Sequence, residues 1–93
     1  MQIRYHIDPA TDLPHIYNHD VSEHEVEDIL ARPLQDIRGR DDSRIALGQT
    51  EEGRYIKVIY VPDPIPESVF VITAYELGPK AKRALRRSRR RKR

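Results

Sequence analysis

Four histidines, three cations set inside apolar runs and a cationic C-terminus are the groups in this chain that can do chemistry. His15 and His19 stand four residues apart, which on a helix puts two imidazoles on one face. Such a pair can grip a metal ion or, titrating near neutrality, take and give a proton. No Glu follows His15, no cysteine is present and no third ligand can be placed, so the pattern implies neither a metal nor a cofactor. His19 stands as a candidate for proton transfer, beside a structural role at the turn that follows it.

Arg44, Arg54 and Lys57 interrupt runs of apolar residues. A cation there must meet an anion or reach solvent. It can bind phosphate or stabilise developing charge; the plainer reading pairs it with Asp41, Asp42, Glu51 or Glu52. Tyr60 and Tyr75 fall in the same region, where Tyr packs its ring and leaves its hydroxyl at an edge; base stacking or proton donation is secondary.

From Lys80 onward the chain is dominated by cations. Seven of the 17 basic residues and all 15 acidic ones fall in residues 1–79, a formal charge of −8 there against +10 over 80–93. Lys82, Arg83, Arg86 and Arg87 lead this segment, which can bind nucleic acid or an acidic protein in a salt-dependent way. It holds no aromatics for base stacking. Neutralisation by the acidic body and a merely solubilising role compete with that reading.

The elements that must position these groups follow from periodicity. Ile3, Tyr5 and Ile7 alternate with Gln2, Arg4 and His6, which predicts a first strand. Asp8 to Asp12 is turn chemistry. Leu13 to His19 is expected to form a short helix with Pro14 in its first turn and Leu13, Ile16 and Tyr17 inward. Ser22 with Glu25 three residues on is a capping box, and Val21 with Val26 a hydrophobic staple. Val26, Ile29 and Leu30 make the apolar stripe of that helix, and Pro33 ends it. Glu23, Glu25, Glu27 and Asp28 read as a solvated acidic face at the favourable end of the helix dipole.

Strands are then expected over Leu34–Gly39, Ser43–Gln49, Arg54–Val61 and Val69–Leu77, with a hairpin turn at Thr50–Gly53 and a Pro-rich loop at 62–66. The third of these has Ile56, Val58 and Tyr60 on one face and Tyr55, Lys57, Ile59 and Val61 on the other, so both faces should be covered. Ile56, Val58, Ile72 and Ala74 are expected beneath the capped helix. After Gly78, Lys80 to about Arg90 can be helical on an Ala81, Ala84, Leu85 stripe, with Arg89–Arg93 frayed. The order predicts a single α+β domain over 1–79, an antiparallel sheet of about four to five strands with two N-terminal helices on one face, followed by a basic helix or tail over 80–93. With 93 residues there is room for one core. The first residues lack the apolar stretch of a signal peptide and no run reaches the length of a membrane span, which predicts a cytoplasmic protein without membrane contact.

The segments Asn18–Leu30, Arg44-Ile-Ala-Leu-Gly48, Gly53-Arg54-Tyr-Ile-Lys-Val-Ile-Tyr60 and Val71-Ile-Thr-Ala-Tyr75 resemble, in order, the motifs of BrnT-type toxins and of an uncharacterised BrnT-like domain family. Two positions depart from the pattern: Asp20 stands where the family has Gly, and Tyr75-Glu76 where it has a basic residue. The resemblance implies a RelE-like fold, ribonuclease activity without metal through the ribose 2′-hydroxyl, and a ribbon-helix-helix antitoxin as partner beside the RNA. Mapped by motif, it makes His19, Arg44, Arg54 and Tyr60 the catalytic candidates, with His19 or Tyr60 moving the proton and the two arginines holding the phosphate. Lys57, Lys82, Arg83, Arg86 and Arg87 are the candidate RNA contacts.

Overall fold

A computed structural model describes residues 1–91. Five strands form one mixed sheet in the order β1-β7-β6-β5-β4: β1 (Gln2–Tyr5), β4 (Gln35–Arg38), β5 (Arg44–Gln49), β6 (Tyr55–Pro62) and β7 (Ser68–Glu76). The pairs β4–β5, β5–β6 and β6–β7 are antiparallel, but β1 lies parallel to β7, so the sheet is not the purely antiparallel one expected. A parallel neighbour needs a long crossover. Here most of the chain lies between the two strands. The α+β class holds.

Helix α1 (Glu23–Ala31) begins as its sequence dictates. Ser22 accepts from the Glu25 amide, and the Glu25 carboxylate accepts from the Ser22 amide. The helix crosses the face formed by Ile56, Val58, Ala46 and Ala74 and buries Val26 and Ile29 there. Gly48 lets it come close: a Cβ at that position would lie 3.2 Å from Ile29 Cδ1. Glu25 is buried with them, against the expectation of a solvated acidic face.

The segment before α1 differs from expectation. Leu13–Pro14 (β3) pairs with Ile7–Asp8 (β2) as a two-residue ribbon, and only His15–His19 is helical, as one 3₁₀ turn. Pro14 and the extended backbone of its neighbour favour that ribbon over an α-helical start. Ile16 is in the core as predicted, whereas Leu13 and Tyr17 are exposed. Asp20 closes the turn in the left-handed region, at φ 57° and ψ 37°. Asp tolerates that region better than most residues, so the backbone bend that a Gly would make is preserved.

A bulge between Ile59 and Tyr60 shifts the register against β7: Ile59 pairs with Thr73 but Tyr60 with Val71. Ile72 is the extra residue, which turns it outward instead of under α1. The opposite face of the sheet carries Tyr55, Lys57 and Ile59 and is partly covered by α2 (Pro79–Arg91). Leu85 is the buried anchor of α2, Gln35 Nε2 donates to Ser88 Oγ at 2.9 Å, and the Lys82 ammonium sits 5.2 Å from the Tyr55 ring centre. Ala81 and Ala84 of the expected stripe are exposed. The helix runs through Arg91 where fraying was expected from Arg89; residues 92 and 93 lie outside the described residues. No helix among the described residues is long and apolar enough to cross a membrane.

Candidate functional site

The four catalytic candidates do not meet. They fall in three places. Arg54 lies on the α1 face at the C-terminal end of β7. Its Nη1 donates to both Glu25 oxygens (2.9 and 2.8 Å) and to the Asp20 carbonyl (2.9 Å), and its Nη2 to Glu76 (3.3 Å). One guanidinium thus ties the capping box, the left-handed turn and the last strand together. The hydrogen bond from Arg54 to Glu25, reinforced by the charges of Glu25 and Glu76, raises its pKa further against the opposing effect of burial.

Arg44 and Tyr60 form a second cluster at the other end of the same face, directly paired across β5 and β6. Arg44 Nε donates to Asp36 Oδ1 at 2.8 Å and its Nη2 to the Asp36 carbonyl at 3.0 Å. The Tyr60 hydroxyl donates to Asp36 Oδ2 at 2.5 Å. Burial first, and Asp36 second, push the Tyr60 phenol up to about 12, with Arg44 opposing. A phenol held neutral, its hydroxyl donating to Asp36, is poorly suited to act as a base. The partners of both arginines are therefore Asp36, Glu25 and Glu76, not the turn acids 41, 42, 51 and 52.

His19 belongs to the third cluster, on the opposite face. Strand alternation puts Arg4, His6, Phe70, Lys57 and Tyr75 on this side, and the 3₁₀ turn packs against β7 beyond the end of β1, bringing His15 and His19 beside them. The rings form an arc. Phe70 to His6 is 6.4 Å between ring centres, His6 to His15 5.8 Å, His15 to His19 5.4 Å and His19 to Tyr75 5.6 Å. Each end carries a cation: the Arg4 guanidinium is 5.2 Å from the Phe70 centre and the Lys57 ammonium 5.5 Å from that of Tyr75. Arg83, Arg86 and Arg87 are exposed on α2, which lies across the same side of the sheet.

The three imidazoles are not equivalent. Asp8 Oδ2 is 3.9 Å from His15 Nδ1 and accepts from Asn18 Nδ2 at 2.6 Å. Hydrogen bonds from Asn18 and the Ala10 amide, with a smaller contribution from His15 and His6, hold Asp8 below the usual carboxylate range. His15 is thus faced by a fixed anion. His19 has no carboxylate within ion-pair distance among the described residues. No group of three or more His, Cys, Asp or Glu among them is arranged to hold a metal ion.

Chemically, the arc offers flat faces for stacking, two imidazoles in different electrostatic settings and flanking cations. The sequence pointed to His15, His19 and Lys57 but not to His6, Phe70 or Arg4. Their outward positions on β1 and β7 were legible from alternation, but their proximity depends on the β1–β7 pairing. No family model, curated protein or solved structure matches this chain.

Proposed function

We propose that this protein is a metal-independent endoribonuclease of the toxin type, with a RelE-like fold, acting on single-stranded RNA at the histidine arc. One observation carries this: His15 and His19, 5.4 Å apart, lie within a row of rings that ends in a cation on each side. The ordered BrnT-like segments add support. In the reaction, His19 takes the proton of a ribose 2′-hydroxyl, whose oxygen attacks the adjacent phosphorus. His15, facing Asp8, gives a proton to the departing 5′-oxygen. The products are a 2′,3′-cyclic phosphate and a free 5′-hydroxyl. Lys57 offsets the charge that builds on the phosphoryl oxygens, Tyr75 and His6 stack flanking bases, and α2 attracts the backbone. Arg44, Arg54 and Tyr60 hold the sheet and α1 in place. A ribbon-helix-helix protein, the antitoxin implied by the resemblance, is the expected regulatory partner.

A second reading has its own observation in its favour: Tyr75-Glu76 in place of a basic strand end suits stacking better than catalysis. It makes the chain a non-catalytic nucleic-acid-binding module using the same arc. Incubating labelled single-stranded RNA with the protein in EDTA separates the two. Cleavage to cyclic-phosphate ends that is lost in His15→Ala supports the nuclease. RNA that is bound but left intact supports the binding module.

A further inference from the structure

The first strand leaves one edge of the sheet open. Gln2 and His6 donate their amides to Glu67 and Val71, so the alternate residues Ile3 and Tyr5 direct their amides and carbonyls away from β7. No strand among the described residues lies on that side. The side chains of Ile3 and Tyr5 turn toward α1, and with Met1, Leu30, Ala31 and Glu27 they line a groove of about 320 Å³.

The Tyr5 hydroxyl is buried with no hydrogen-bond partner among the described residues. Burial, with the charges of Glu27 and Glu23 adding to it, pushes this phenol up to about 12, so it remains a donor without an acceptor. A buried donor left unpaired is destabilising. The rim is acidic through Glu27. A second copy pairing its own β1 here would set two such acidic rims together, which disfavours self-association.

We propose that the β1 edge and its groove are a docking site for an extended peptide segment of a basic partner protein, added as a sixth strand. Its backbone bonds to Ile3 and Tyr5. One Lys or Arg lays its aliphatic stem against Ile3 and Leu30 and its charge against Glu27, with apolar residues two positions to either side. This site lies on the opposite face of β1 from the histidine arc and does not depend on its chemistry.

The probe is the peptide acetyl-Ser-Ile-Thr-Arg-Thr-Ile-Ser-amide, titrated into the full chain while amide hydrogen exchange is followed by NMR. At about 1 mM peptide, Ile3 and Tyr5 amide exchange is expected to slow roughly tenfold, with that of the opposite edge strand β4 unchanged. Glu27→Lys, an exposed change, should weaken binding about tenfold, as should Glu in place of the peptide's Arg. No slowing at Ile3 and Tyr5, or slowing that is undiminished in Glu27→Lys, overturns the proposal. So does slowing without peptide that grows with protein concentration, which would assign the edge to a second copy.

Discussion

The two faces of the sheet treat charge in opposite ways. On the α1 face the two motif arginines are held: Arg54 by Glu25, Asp20 and Glu76, and Arg44 by Asp36. On the other face Lys57 lies against a ring and the imidazoles lie against one another. A single strand shows the division, since Ile56, Val58 and Tyr60 of β6 are sealed under α1 while Lys57 and Ile59 are half-open. An arginine inside a conspicuous motif can thus serve the fold, while the histidines gather on the face opposite α1. A cation saturated by carboxylates would have to break those bonds to bind phosphate.

The largest expected effect tests that division directly. His19→Ala should lower RNA cleavage by about 10²–10⁴-fold, the usual range for removing a general acid or base. Its urea midpoint should hardly move, because His19 is exposed. Arg54→Ala should do the reverse. It leaves Glu25, only 8% exposed, without its cation and loosens the start of α1. We expect a loss of about 2–3 kcal/mol in urea unfolding, less than for a fully buried pair because the Arg54 side chain is 31% exposed. Cleavage per folded molecule should change less than that of His19→Ala. If Arg54→Ala abolishes cleavage without lowering stability, the division between faces fails.

A smaller effect sharpens the same contrast within the open face. Lys57 has no carboxylate within ion-pair distance among the described residues. Lys57→Gln should weaken RNA binding by roughly tenfold or less and lower the slope of log affinity against log salt by about one, the signature of one phosphate contact. Fluorescence anisotropy at several salt concentrations measures both.

Much of this arrangement was legible where the chemistry is local. Ser22 and Glu25 form the capping box, Pro33 follows the end of α1, and Gly53, at φ 99°, makes the hairpin turn before β6. What escaped was set by distant pairing. The parallel contact of β1 with β7 joins the two ends of the domain, and it alone puts His6 beside Phe70. The bulge at Ile59/Tyr60 reverses the facing of Ile72, which strict alternation had placed under α1. Burial of Glu25 depends on Arg54, 29 residues away. The candidate site was half legible: His15 and His19 drew notice by their spacing, but their ring partners and their separation from Arg44, Arg54 and Tyr60 are products of the sheet.

On the open face Arg4 is held by a carboxylate, and it gives the smallest and most easily isolated effect. Arg4, at the Phe70 end of the arc, donates through Nε and Nη2 to Asp63 at 3.0 and 2.7 Å, and Ser68 Oγ donates to the same carboxylate at 2.6 Å. Those bonds lower the Asp63 pKa to about 2, Arg4 contributing most and Ser68 next. A carboxylate whose folded pKa lies below its unfolded value stabilises the fold above the unfolded pKa, about 3.9, and that contribution disappears as pH falls toward 2. Wild type should therefore lose stability to urea between about pH 4 and 2 more steeply than Arg4→Gln, whose Asp63 sits nearer its ordinary pKa. The two slopes should converge above about pH 5, where Asp63 is ionised in folded and unfolded chains alike. Equal slopes in the acid window would mean that Arg4 is not held by Asp63 in solution. It would then be as free as Lys57, and the arc would present an unpaired cation at both ends.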